Sequence, residues 1–300
     1  MIRILSDSVS TSVYDDLYKN NIDVVSLTVH YDGKDQLDTE MDFDYFNDTL
    51  AERGDNLPTS SQPSIASYEN YFESAAKAGD SVVGVFLSSK LSSSFEGAIM
   101  AARRIKKEYC DFQCRLIDSC ASCGPQMAAL LAACGVRDNG GTLDEIADAA
   151  EHSVRCSRIM FTPSDLRFLV LGGRLNAVTA KIASKLKIFP IITTVDGYAV
   201  ASVKVRTKSK ANDKMFNIFV DDVKAHGLKY VVVHYAGKKT KELFDFKERV
   251  EEFVKHEVEL VSVSPVISVH SGPAIGIAYE CNDELSGKFT GGSPQILFSI

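Results

Sequence analysis

Three short apolar runs near the start of the chain break off in the same way. IRIL stops at Ser6-Asp7-Ser8, SVVGVFL at Ser88-Ser89, and QCRLI at Asp118-Ser119. Short runs rich in Val, Ile, Leu and Phe, each bounded by small polar residues, predict buried strands. Helical patterning lies between and after them, at about Ser64 to Ala78, Ser94 to Tyr109, 125–135 and 142–152. Strands alternating with helices restrict the chain to an α/β fold, a mainly parallel, doubly wound sheet with helices on both faces. In such a sheet the carboxyl ends of the strands share one edge, where ligands of open α/β sheets bind. The three polar endings therefore predict a single surface. Helix N-termini point at it, and their free N–H groups favour anions.

The other elements follow from the same patterns. Residues 22–31 (IDVVSLTVHY) predict one strand turned by Asp32-Gly33, and 42–53 a short helix. Beyond about residue 158 the pattern changes. IFPIITTVDGYAVASVKVR holds two strands around Asp196-Gly197, and Asp-Gly between alternating strands is a strong hairpin signal. Helices near 209–226 and 239–256 alternate with KYVVVHYA, VELVSVSP and IGIAYEC. These predict an N-terminal α/β domain over 1–158 and a C-terminal α/β domain with a mixed sheet over 159–281. Residues 282–300, polar and then closed by QILFSI, are expected to form a C-terminal appendage.

Bulk properties narrow the function. A net charge of -7 argues against nucleic-acid binding. No apolar run is long enough for a transmembrane helix, so no stable membrane insertion is expected. The start MIRILSDS turns polar too soon for a signal peptide, which leads to a cytoplasmic expectation. Seven cysteines are present, and Cys110, Cys114, Cys120 and Cys123 cluster. Their spacing lacks the paired knuckles of a zinc site, so reduced thiols and no metal are expected. Neither a Walker-type loop nor a dinucleotide fingerprint follows a strand, so no cofactor is expected.

Two loops carry more hydroxyls than a helix cap uses. LPTSSQPS holds Thr59, Ser60, Ser61 and Ser64, with Pro63 suited to a first helical turn. KLSSSFEGA holds Ser92, Ser93 and Ser94, and Ser93 with Glu96 fits a capping box. Capping alone accounts for part of this. Two such loops meeting could also supply several donors to one carboxylate or phosphate. Arg174 follows paired glycines in LGGRLNA, and His270 stands before a Gly-Pro turn, read as a strand end. Lys204, Arg206, Lys208 and Lys210 alternate in KVRTKSK, as either a solvated strand face or a docking patch for an acidic partner.

Taken in order, ILSDS, PTSSQPS, SSKLSSSFEGA, DSCASCG, LGGRL, PIITTVDG with KVRT, and HSGPAIGI resemble the DegV family over about residues 2–281. The resemblance implies two α/β domains with a long-chain fatty acid between them and no catalysis by the protein alone. It also implies a partner, the ATP-binding subunit of a fatty acid kinase, to which the bound acid is presented for acyl-phosphate formation. It implies a head-group site at Ser60, Ser61, Ser92, Ser93, Arg174, His270 and Gly272, with Arg206 facing the partner or the phosphate. Ser93-Ser94-Phe95-Glu96 stands where the family has Gly-Thr-Tyr-Gln, and Ala274 replaces a customary Gly.

The same residues admit a rival reading. Ser92 and His270, with Asp7 or Asp118, could form the nucleophile, base and orienter of a serine hydrolase acting on an acyl substrate. Against it, no G-x-S-x-G elbow is present.

Overall fold

The computed structural model describes residues 1–10, 19–50, 52, 57–175, 188–290 and 296–300. The chain opens with β1 (Ile2–Asp7) and β2 (Ile22–Val25), then β3 (Thr28–Tyr31) and β4 (Lys34–Leu37). A 3-10 turn at Asp38–Glu40, helix α1 (Phe43–Leu50) and β5 (Thr59–Ser61) follow. Next come α2 (Ile65–Ala78), β6 (Ser81–Phe86), α3 (Ser94–Glu108), β7 (Cys114–Asp118), α4 (Gly124–Asp138) and α5 (Leu143–Cys156). The second half holds β8 (Ser157–Pro163), α6 (Arg167–Leu171), β9 (Phe189–Val195), β10 (Tyr198–Val205) and α7 (Lys208–His226). It continues through β11 (Tyr230–Ala236), α8 (Lys241–Val254), β12 (Glu259–Ser262), α9 (Pro265–Ser271), β13 (Ala274–Glu280) and β14 (Leu297–Ser299). Among the described residues, no helix is long and apolar enough to cross a membrane.

The first sheet has the order β14-β7-β6-β1-β2. Its β2, β1, β6 and β7 are mutually parallel, as strand–helix alternation demands. Side chains of a strand alternate between faces, so adjacent apolar residues serve two layers. Ile4, Val83 and Ile117 pack with α4 and α5, while Leu5, Val82 and Leu116 pack with α2 and α3. This places helices on both faces. The second sheet, β10-β9-β8-β13-β11-β12, is mixed, with β11 and β12 its one parallel pair. One face buries Val231, Val233 and Ile277 against α7 and α8. The other turns Ile159, Val232 and Ala278 toward Ala121 and Cys123 of the first domain. The predicted hairpin turns at Asp196 and Gly197, both with positive φ (50° and 80°), as a type I′ turn requires.

Several expectations are revised. Residues 22–31 are two strands: β2 joins the main sheet, and β3 leaves it for a small antiparallel sheet of order β4-β3-β5. Part of the LPTSSQPS loop is therefore strand, with Ser60 opposite Val29. The helix expected over 42–53 ends at Leu50; residues 51 and 53 lie outside the described residues. The Ser93–Glu96 capping box does not form, since Ser93 makes no side-chain cap bond. Helix α2 is capped by Ser64, whose hydroxyl accepts from the Ser67 N–H at 3.0 Å. The basic stripe is not one strand face, because β10 ends at Val205 and Lys208 opens α7. His270 lies not at a strand end but in α9, started by Ser264 and Pro265 and ended by Gly272.

The segment expected as an appendage is built into the body. β14 pairs antiparallel with β7, and Ile296 is buried beside Ile117 and Leu130. Lys288 is also buried, donating to the carbonyls of Val154 and Ser157 where α5 passes into β8. The charge is tolerated because the last carbonyls of a helix lack partners of their own and attract cations.

Candidate functional site

A cavity lies where the carboxyl edge of the first sheet meets the bare face of the second. It encloses about 960 Å³ of space, part of it open to solvent. Leu87 and Leu91 line it from the loop after β6, and Cys123 from the loop after β7. The facing wall includes Ile159, Phe161 and Val263. Each sits there because sheet alternation turned it away from its own helices. The wall is mostly apolar, with polar side chains at a few points, as small-molecule sites are.

The strand-end carboxylates that the sequence singles out order the loops of this edge. Asp7 accepts from the Leu87 N–H at 3.0 Å and from Gln126 Nε2 at 2.8 Å. Asp118 accepts from the N–H groups of Ser89 at 3.2 Å and Cys120 at 2.8 Å. Burial raises the pKa of Asp7 to about 6, partly offset by those bonds.

Ser60, Ser61, Ser92, Arg174 and His270 all border the cavity. Ser60 Oγ lies 2.8 Å from His270 Nε2, a contact that joins the small sheet to α9. Ser61, pointing the other way along β5, has its hydroxyl 2.9 Å from His30 Nε2. Ser92 Oγ accepts from the Ser94 N–H at 3.2 Å. Arg174 is fastened beside it, with Nε donating to the Leu91 carbonyl at 3.1 Å and a guanidinium nitrogen donating to the Gly172 carbonyl at 2.5 Å. Gly173 (φ 72°) supplies the left-handed turn that brings the chain back toward the site.

Two of the expected head-group residues, Ser93 and Gly272, stand apart. Ser93 is exposed and does not line the cavity, and Glu96 is likewise exposed and outside the lining. Gly272 ends α9 with φ 62°, packed on the Phe168 ring and outside the lining. Arg206 is exposed just beyond β10. Beyond Leu175, the LGGRLNA motif lies outside the described residues. Two further residues shape the site: Gly172, the first of the paired glycines before Arg174, packs on the His270 ring, and Asp38, which carries no sequence signal, holds the start of α9.

Charge at the polar end is one-sided. Burial, together with the nearby Arg174 charge, lowers the His270 pKa to about 3, so the imidazole is neutral at ordinary pH. Burial also lowers the Arg174 pKa, yet a guanidinium stays protonated. Among the described residues no carboxylate pairs with Arg174. A half-buried cation without an anion is costly, and an anionic group entering the cavity would relieve that cost.

The hydrolase constellation is not assembled. His270 reaches Ser60 and not Ser92, and among the described residues its buried Nδ1 has no partner, so none of them orients the ring as a base. Asp7 and Asp118 are occupied by the loop contacts above.

Two α/β domains enclosing an apolar cavity with a cationic, hydroxyl-bearing end define a two-domain protein of the interdomain-cavity kind. A family model described as an uncharacterised protein of the DegV family matches residues 1–282, and this chain belongs to that family. A DegV domain-containing protein of Clostridium acetobutylicum is 32% identical over 283 residues, 93% of this chain and 97% of its own length. Another from Clostridium perfringens is 33% identical over 279 residues, 93% of this chain and 98% of its own. Among solved structures, a stearic-acid-binding protein from Eubacterium ventriosum superposes with a TM-score of 0.85 at 24% identity, covering 94% of this chain and 99% of its own. DegV from Bacillus subtilis, described as a fatty acid binding protein, gives 0.82 at 26% identity, covering 93% and 99%.

Proposed function

We propose that this protein binds one long-chain fatty acid and presents its carboxylate to a separate fatty acid kinase subunit for acyl-phosphate formation. The observation that carries the binding reading is Arg174, which has no carboxylate partner among the described residues, beside Ser60, Ser92 and neutral His270, at the polar end of an apolar cavity. A buried carboxylate needs several donors, and charge-assisted hydrogen bonds are the strong ones. The acyl chain adds about 0.8 kcal/mol per buried CH₂. The described fatty acid binding of the Bacillus subtilis relative supports the same reading.

The protein itself would do no chemistry, and the phosphate donor would arrive with the kinase. Exposed Arg206 is assigned to that encounter. We place the domain boundary at 158/159, within the first residues of β8, and the protein in the cytoplasm, where ATP and the kinase would be available. Denaturing extraction of gently purified protein, followed by mass spectrometry, tests the binding. About one long-chain acid per chain is expected. Recovery of a sterol, of a nucleotide or of no lipid overturns it.

A further inference from the structure

After β13 the chain runs along the junction between the two domains. Leu285 is buried in the core cluster of the second domain, and Phe289, four residues on, packs against that of the first. Between them the chain is fastened where α5 passes into β8. The Leu285 N–H donates to the Arg155 carbonyl at 3.2 Å, and the Arg158 guanidinium donates to the Ser286 carbonyl at 2.6 Å. The buried Lys288 ammonium donates to the carbonyls of Val154 and Ser157. These tail residues lie beyond 1–282, the part that the family model matches.

This fastened segment holds the turn of the β9–β10 hairpin. The Asp196 N–H donates to the Lys288 carbonyl at 2.9 Å. The Asp196 carboxylate accepts from the Thr290 N–H at 2.9 Å and from the Thr290 hydroxyl. On its other side the same turn rests on the first domain. Ser88 Oγ donates to the Gly197 carbonyl at 2.9 Å. A Cβ on Gly197 would lie 2.7 Å from that oxygen, so the approach is close enough to require glycine. The turn is thus held between the tail and the loop after β6. Thr193, Thr194 and Ala199 of the hairpin line the cavity, and so do Leu87 and Leu91 on either side of Ser88. Parting the turn from that loop separates two walls of the cavity, while Asp196, Lys288 and Thr290 are themselves outside the lining.

We propose that residues 285–290 are a clasp whose hold on Asp196 sets how fast the cavity takes up and releases its ligand. The proposal deepens the fatty-acid reading and rests on it for the ligand alone. The clasp closes the empty and the loaded cavity by the same bonds, and it touches no group that lines the site. It therefore acts on the opening step, which entry and exit share, and leaves the affinity nearly unchanged.

The test uses the full chain carrying Asp196→Asn with Thr290→Val. Asn-Gly keeps the type I′ turn, but the amide has one acceptor oxygen where the carboxylate has two, and Val removes the hydroxyl. The core contacts of Leu285, Lys288 and Phe289 stay in place. In the first arm, lipid-free protein is followed by hydrogen exchange. The Asp196 amide and its hairpin neighbours should exchange faster in the double variant, with α4 unchanged. Equal protection in the two proteins overturns the clasp whatever the ligand is. In the second arm, stopped-flow fluorescence follows cis-parinarate released from loaded protein into excess palmitate, and its uptake by lipid-free protein. Both rates should rise about fivefold or more, with Kd within about twofold. An unchanged release rate overturns the proposal. So does faster release with unchanged uptake, since the tail would then act on the bound ligand. Faster hydrogen exchange in the variant, with neither parinarate nor palmitate bound by wild type, overturns the fatty-acid reading and not the clasp.

Discussion

The carboxylate of Asp38 accepts a hydrogen bond from the backbone N–H of Val266 at 3.1 Å, in the first turn of the helix that carries His270. Its other oxygen accepts from Ser8 Oγ at 2.8 Å, at the end of β1. The first domain thus grips the second by the start of α9, and the position of His270 over Ser60 depends on that grip.

Asp38→Ala should therefore destabilise the protein. The Val266 N–H and the Ser8 hydroxyl would be buried with one partner fewer, at about 1–3 kcal/mol for each group left unsatisfied. Urea unfolding at constant m-value measures this. A midpoint equal to wild type would deny Asp38 its role.

Asp38 also predicts a pH dependence. Burial raises its pKa from the ordinary 3.8 to about 7, so the folded state holds the proton more tightly than the unfolded chain. Stability from this group is complete below the unfolded value and is lost as pH rises through the folded one. Between about pH 4 and 7 the unfolding free energy should therefore fall more steeply in wild type than in Asp38→Asn. Parallel profiles for the two proteins contradict the assignment.

Arg174→Leu should separate the stability of the empty protein from that of the loaded one. Without ligand it removes a half-buried charge that has no acidic partner among the described residues, so the unfolding midpoint should hold or rise. With excess palmitate the wild type should gain stability by mass action and the variant much less. Equal palmitate-induced shifts in thermal scans would place the carboxylate elsewhere.

Arg206→Ala should bind palmitate with wild-type affinity, since the residue is exposed and outside the cavity lining. Acyl-phosphate formation with the kinase subunit and ATP should collapse in the same variant. Undiminished turnover removes the partner-facing role, and loss of palmitate binding would assign Arg206 to the head group instead.

Ile296→Ala tests whether the end of the chain belongs to the core. Ile296 is 1% exposed within the cluster between the first sheet and α4. Emptying that space should cost roughly 2–5 kcal/mol. A loss within a few tenths of a kcal/mol would return the segment to the status of an appendage.

Much of the first domain was legible because its signals are local. Strand runs ending in Asp7-Ser8, Ser88-Ser89 and Asp118-Ser119 need no distant partner to be recognised, and parallel topology then carries all three to one edge. The hairpin at Asp196-Gly197 was legible for the same reason, since a two-residue turn with positive φ is written in its own residues. The candidate head-group residues Ser60, Ser92, Arg174 and His270 came from motif resemblance, and they do border one cavity. The helical seat of His270 was readable too, from Ser264-Pro265 before it and Gly272 after it, but the Gly-Pro turn that follows suggested a strand end.

Other features depend on separations no local pattern encodes. Whether 22–31 is one strand or two depends on β5 arriving from Thr59–Ser61 to pair with β3. Asp38 has no sequence mark, because its partners Ser8 and Val266 lie 30 and 228 residues away. Gly172 looks like an ordinary turn residue until the His270 ring is seen against it. QILFSI was legible as apolar but not as a strand of the first sheet, because β7 offers its free edge only in the folded molecule. Hydrophobic periodicity reports which face of an element is buried; what it is buried against is set by long-range packing, and the cavity with its one-sided charge exists only at that level.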